Sequence, residues 1–129
     1  MADAPRETVA KWQRVADLLI KLTASGQVKW SETASKGKFV ATFGGNTVAI
    51  TEQEDGGGGR GTAPLIRIEI LDFVDDVVDE FTDEDLGDQY YLELRNMLRI
   101  IERKASGADA VLDEIIEELD KMDPDSLPF

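Results

Sequence analysis

The apolar residues of this chain change period twice, and that alone rules out most folds. Over residues 6–24 they recur at Val9, Trp12, Val15/Ala16, Leu19 and Leu22, three to four apart, which gathers them into one stripe of a helix. The spacing then falls to two. Val28 and Trp30 alternate with polar neighbours, as do Phe39, Ala41 and Phe43, then Val48 and Ile50, then Ile66, Ile68 and Ile70. Alternation of this kind places one face of a strand in the core. From Leu86 the helical spacing returns, through Tyr90, Leu94, Met97/Leu98 and Ile101, and again through Ala108, Val111/Leu112, Ile115/Ile116, Leu119 and Met122.

The punctuation between these stretches fits the same order. Pro5 suits a helix start and Gly26 a helix stop. Gly44-Gly45-Asn46 between two alternating runs predicts a hairpin, because these residues tolerate positive φ. Asp75-Asp76 predicts a turn before a short fifth strand over Val77–Phe81. Thr82 with Asp85 three residues on approximates a capping box for a helix that runs to Ser106-Gly107. Asp123-Pro124 ends the last helix. The expected architecture is a single α+β domain over residues 1–129: an N-terminal helix, an antiparallel meander of four to five strands, and a C-terminal helical hairpin packed on one sheet face. Residues 1–5 and 123–129 read as flexible tails, and the glycine-rich stretch 52–62 as a mobile surface loop.

Charge is as unevenly distributed as hydrophobicity. Residues 1–44 carry seven Lys/Arg and four Asp/Glu, net +3, and the remainder carries seven and 23, net −16, giving −13 in all. Asp72–Asp88 holds nine carboxylates and no cation, and a second acidic block spans Asp109–Asp125. Such a surface repels phosphates, so direct nucleic-acid binding is not expected, and anionic membranes are disfavoured for the same reason. A basic protein is the natural electrostatic partner. No apolar run is longer than Leu18-Leu19-Ile20, and the first residues lack the basic-then-apolar pattern of a secretory signal, which together point to a cytoplasmic protein. The absence of His and Cys removes the commonest general base, the thiol nucleophile and thiolate metal sites.

Several segments are recognisable together: Gly26-Gln-Val-Lys-Trp30, Phe39-Val-Ala-Thr-Phe43, Ile66–Asp72 and Ala108-Asp-Ala-Val-Leu-Asp-Glu-Ile-Ile-Glu-Glu-Leu119. In these, over about residues 15–120, the chain resembles a family of short, acidic, stand-alone bacterial proteins of uncharacterised function. The resemblance implies the fold and brings no activity with it. One departure is Val74-Asp75-Asp76-Val77, where a glycine is expected in the turn.

Candidate chemistry is sparse. Gly56-Gly-Gly-Gly-Arg-Gly-Thr62 lacks the Lys-Ser/Thr of a phosphate loop and leads into a strand instead of a helix. Asp79, Asp83 and Asp85 sit near a strand-to-helix junction where weak cation binding is conceivable, but the segment lacks the pattern of an EF-hand. No metal, cofactor or catalytic residue is assigned, and no enzymatic activity is expected. Arg95, Arg99 and Arg103 lie four apart on one helical face and are expected to pair with some of Asp113, Glu117 and Asp120 across the hairpin. Trp12 and Trp30 are expected in the core, whereas Tyr91 falls off the stripe and is a candidate interface aromatic.

The leading expectation is therefore a small interaction module that presents an acidic face to a basic partner. Asp75, Asp76, Asp79, Glu80, Asp83, Glu84 and Asp85 would make the contact, with Tyr91 or the Phe129 tail adding apolar area. Two alternatives share the same composition: an antitoxin, immunity-type or DNA-mimic inhibitor of a nucleic-acid-binding protein, and a structural homodimer whose acidity serves only solubility.

Overall fold

A computed structural model describes residues 4–53 and 64–126, and its elements follow the changes of period. They are α1 (Arg6–Ala24), β1 (Ser31–Glu32), β2 (Lys38–Phe43), β3 (Asn46–Gln53), β4 (Leu65–Leu71), β5 (Val77–Thr82), α2 (Asp83–Leu86), α3 (Tyr90–Ser106) and α4 (Ala108–Met122), with a terminal 3-10 turn at Pro124–Ser126. The strands form one antiparallel sheet in the order β1-β2-β3-β4-β5, each beside its neighbour in sequence.

Register explains the core. Phe39 lies opposite Ile50, Ile50 opposite Ile68, and Ile68 opposite Phe81, so one row of buried side chains crosses four strands. The next row, Lys38, Thr51, Arg67 and Thr82, belongs to the other face. That face is the more polar one, with Lys38 paired to Glu69 at 3.3 Å and Arg67 to Glu80 at 3.1 Å, although Ala49 and Leu65 on it are buried. An antiparallel sheet with one wet face needs this alternation. The helices α1, α2 and α3 close the apolar face. Trp12 of α1 stacks on Phe81 with ring centroids 5.2 Å apart, and Leu94, Met97 and Leu98 of α3 are fully enclosed. Each such side chain contributes about 1.5–3 kcal/mol by leaving water.

Three local expectations are corrected, and the expected turn and fifth strand at Asp75–Phe81 are formed. The strand expected at Val28 and Trp30 is not formed there; pairing starts at Ser31–Glu32, opposite Val40 and Phe39. Val28 is buried without a ladder, and Trp30 is held by its indole N–H donating to Thr23 Oγ1 at 3.0 Å. The helix expected to begin after Thr82 and run on to Ser106 breaks at Gly87, whose φ of +131° is open only to glycine, so α2 and α3 are separate. Leu86 and Tyr90 are both buried, so the stripe continues in space although the helix does not.

The turn that lacks a glycine is made by Asp75 at φ +66°, the left-handed conformation that Asp tolerates better than most residues, and β5 follows it. The last correction is the largest. The α+β order of N-terminal helix, antiparallel sheet and C-terminal helices is as expected and α3 covers the sheet, but α4 buries none of its residues and so does not pack on that face. Of the stretch 52–62, Glu52 and Gln53 belong to β3 and the rest lies outside the described residues. Of the two tails, Ala4 packs against the core and Pro124–Ser126 forms the terminal turn, while residues 1–3 and 127–129 lie outside the described residues.

Candidate interaction surface

The acidic stretch from Asp72 to Asp88 does not form a uniform face. Much of it is committed to holding the fold. Asp72 organises the β4–β5 turn: its Oδ1 accepts from the amides of Val74 and Asp76, both at 3.0 Å, while the Asp75 amide donates to its carbonyl at 2.9 Å. Asp79 accepts the Trp12 indole N–H at 2.9 Å, tying β5 to α1. Glu80 pairs with Arg67 on the more polar face. Asp83 is 2% exposed, and its Oδ1 accepts the Ile66 amide at 2.8 Å. Asp85 completes the expected capping box, its carboxylate accepting the Thr82 amide at 2.9 Å.

Asp79, Asp83 and Asp85 thus turn to three different donors. Among the described residues no group of three or more carboxylates is gathered as a cation would require. Asp75, Asp76 and Glu84 are exposed. Tyr91 lies in the first turn of α3, half-buried against the rim of the core, on a different element from the turn that carries Asp75 and Asp76.

The structure adds apolar residues that the alternation did not reveal. Phe73 in the β4–β5 turn is 80% exposed, and Val74, Val77 and Val78 beside it are also open. The cause is local. Leu71 pairs with Val77 and Ile70 with Asp79, so Val78 is the extra residue of a β-bulge and the strand cannot keep its alternation there. The sequence held a signal: Phe73-Val74 and Val77-Val78 are adjacent apolar pairs, and neither pair can face one side of a strand.

Phe73 does not stand alone. A Cβ built on Gly45 would lie 4.0 Å from the Phe73 Cβ, so the β4–β5 turn lies against the β2–β3 turn, where Gly44 and Gly45 take φ of +58° and +91°. Phe43, just before that turn, is also exposed, and it lines an apolar groove of about 340 Å³ with Val15, Leu18 and Leu22 of α1 and Ile70 of β4. One end of the sheet therefore combines a groove, an exposed Phe73 and the carboxylates of Asp72, Asp75 and Asp76.

The arginine row of α3 does not meet α4 as expected. Arg99 pairs with Glu52 at 3.1 Å and Glu102 at 2.9 Å, locking α3 to β3. Burial pulls its pKa down, but these carboxylates outweigh that and hold it above its ordinary value. Arg103 pairs with Asp109 at 2.6 Å, which spans only the corner between the two helices.

Among the described residues no helix is long and apolar enough to cross a membrane. No family model, curated protein or solved structure matches this chain.

Proposed function

We propose that the protein is a non-catalytic interaction module that binds a basic protein partner at the acidic, apolar end of its sheet. The observation that carries this reading is the exposure of Phe73, 80%, in a turn bearing Asp72, Asp75 and Asp76 and lying against the turn beside the Phe43 groove. A large aromatic ring held in water beside a preformed apolar groove is the usual form of an anchor for a partner. The carboxylates supply steering, which selects a basic surface and speeds encounter. In this reading Asp75 and Asp76 meet the partner directly, whereas Asp79, Glu80, Asp83 and Asp85 act by holding the scaffold.

Binding is tested by capture of partners from lysate at low and moderate salt. The native chain is compared with Phe73→Ser and with a double variant, Asp75→Asn and Asp76→Asn, which keeps the turn and removes its charge. Loss of a captured protein with Phe73→Ser, and weaker capture with either the double variant or added salt, supports the reading, since exposed charges are screened beyond about 8 Å at physiological ionic strength. Capture that is indifferent to all three overturns it.

A further inference from the structure

Unlike the helices that cover the sheet, α4 carries an apolar stripe with no cover among the described residues. Val111, Leu112, Ile115, Ile116, Leu119 and Met122 are each between 47% and 76% exposed. The polar side of the helix carries six carboxylates and one lysine, Lys121. An amphipathic helix with a stripe this wide gains its stability by burying that stripe against something.

The chain also holds a cleft suited to such a helix. It has a volume of about 190 Å³ and runs between the end of α1, the Val28–Trp30 segment and the last turns of α3. Its floor is apolar, with Val28, Trp30, Ile100 and Ile101, and Ile100 remains exposed. Its lining also includes Lys29 and Lys104, and among the described residues neither lysine has an ion-pair partner. An apolar floor beside two cations complements an apolar stripe on an acidic helix, whose bordering carboxylates, Asp109 and Glu118, are held in the single chain only by exposed pairs with Arg103 and Lys121.

No α4 residue lines this cleft; only Asp109, in the first turn of α4, borders the adjoining depression that shares Thr23, Ile100 and Lys104 with it, and the apolar stripe beyond stays clear. Gly107, at φ +70° and ψ +22°, is at once the end of α3 and the cap of α4, so a single residue joins the two helices. Helical hairpins take a connection of about two to five residues. One left-handed residue turns a corner and does not reverse the chain. Short connections of this kind favour exchange of the element between two copies. Side-by-side pairing of two α4 helices is the weaker geometry, because it brings the carboxylates that border one stripe beside those of the other and supplies no cation from either stripe.

We propose that the protein forms a homodimer by reciprocal helix exchange: α4 of each copy lays Leu112, Ile115 and Leu119 over the Trp30–Ile100 cleft of the other, with its carboxylates facing Lys29 and Lys104. This goes beyond the proposed function, since it uses neither the Phe73 turn nor the groove beside it.

The test is sedimentation equilibrium of the full chain over a range of concentrations and salt, with three samples added. The first is Ile115→Glu with Leu112→Glu, which disables the helix; these side chains are exposed in the single chain, so its fold, followed by circular dichroism, is retained. The second is Lys29→Glu with Lys104→Glu, which disables the cleft and leaves α4 intact. The third is an equimolar mixture of the two variants.

The proposal expects a native dimer, about tenfold or greater weakening in each variant alone, and partial recovery in the mixture, which regains one of the two helix–cleft contacts. A native chain that is monomeric at every concentration overturns it. So does a dimer that the helix variant abolishes and the cleft variant spares, which would assign α4 to pairing with itself or to the Phe43 groove. A dimer that survives both variants places the interface elsewhere and overturns it too.

Discussion

Two neighbouring helices, α3 and α4, carry amphipathic stripes of similar width and differ completely in what becomes of them. In α3, Tyr90, Leu94, Met97, Leu98 and Ile101 are all buried, and Arg99 fastens the helix to β3 through Glu52. In α4 no side chain is buried, and the six large apolar ones are each about half or more exposed. Periodicity sets which side of a helix is apolar; it does not say whether that side meets its own chain or another. Here the choice is made by the connections. Gly87, Asp88 and Gln89 give α3 enough freedom to lie across the sheet, whereas Gly107 alone directs α4 away from it.

The contrast can be broken or sharpened by substitution, beginning with the largest effect. Leu94→Ala, in the enclosed stripe of α3, should destabilise the fold by about 2–5 kcal/mol in urea titration. Asp83→Ala should cost about 1–3 kcal/mol, because it leaves the buried Ile66 amide with no acceptor in its place. Gly107→Ala puts a Cβ at positive φ and should cost about 1 kcal/mol, a small loss that nonetheless tests whether the corner between the helices is rigid.

Tyr90 allows a pH test of the same covered region. Burial raises the pKa of its phenol above the ordinary 10.0, and the hydrogen bond to Asp17 at 3.0 Å raises it further. The raised value means that the folded chain holds this proton more tightly than the unfolded one. The stabilisation is complete below pH about 10 and is lost as pH rises through the folded pKa. Unfolding followed from neutral to alkaline pH should show that decline, and Tyr90→Phe should remove the part due to this group. The smallest effect belongs to α4. Ile115→Ser, measured where the chain is monomeric, should shift stability by no more than about 0.5 kcal/mol. A large loss there would mean that α4 is docked in the single chain after all.

The sheet was readable from the sequence because its two faces differ at nearly every residue, from Lys38 to Ile50 and again from Leu65 to Ile70. The capping box at Thr82 and Asp85 was equally legible, because it depends on residues three apart. Gly87 was harder to read, since Leu86 and Tyr90 keep helical spacing across the break and hide it. The roles of individual carboxylates were invisible. Asp79 and Asp83 look like the rest of their acidic run until Trp12 and the Ile66 amide, 67 and 17 residues away, are placed beside them. The open surface at Phe73 is hidden in the sequence for another reason: the ladder stops at Leu71, which leaves Phe73 and Val74 in the turn, and the bulge at Val78 then opens the start of β5.

The order of the sheet has a consequence for how the chain folds. Every strand pairs with its neighbour in sequence, so the ladders can close one hairpin at a time with little loop entropy to overcome. What the sheet cannot do by local steps is cover its apolar face. The link from Trp12 to Asp79 spans 67 residues, and it needs both α1 and β5 in place. Docking of α1 is then expected to come late, and the indole of Trp12, which stacks on Phe81 in the folded chain, should report it as a slow fluorescence change in refolding.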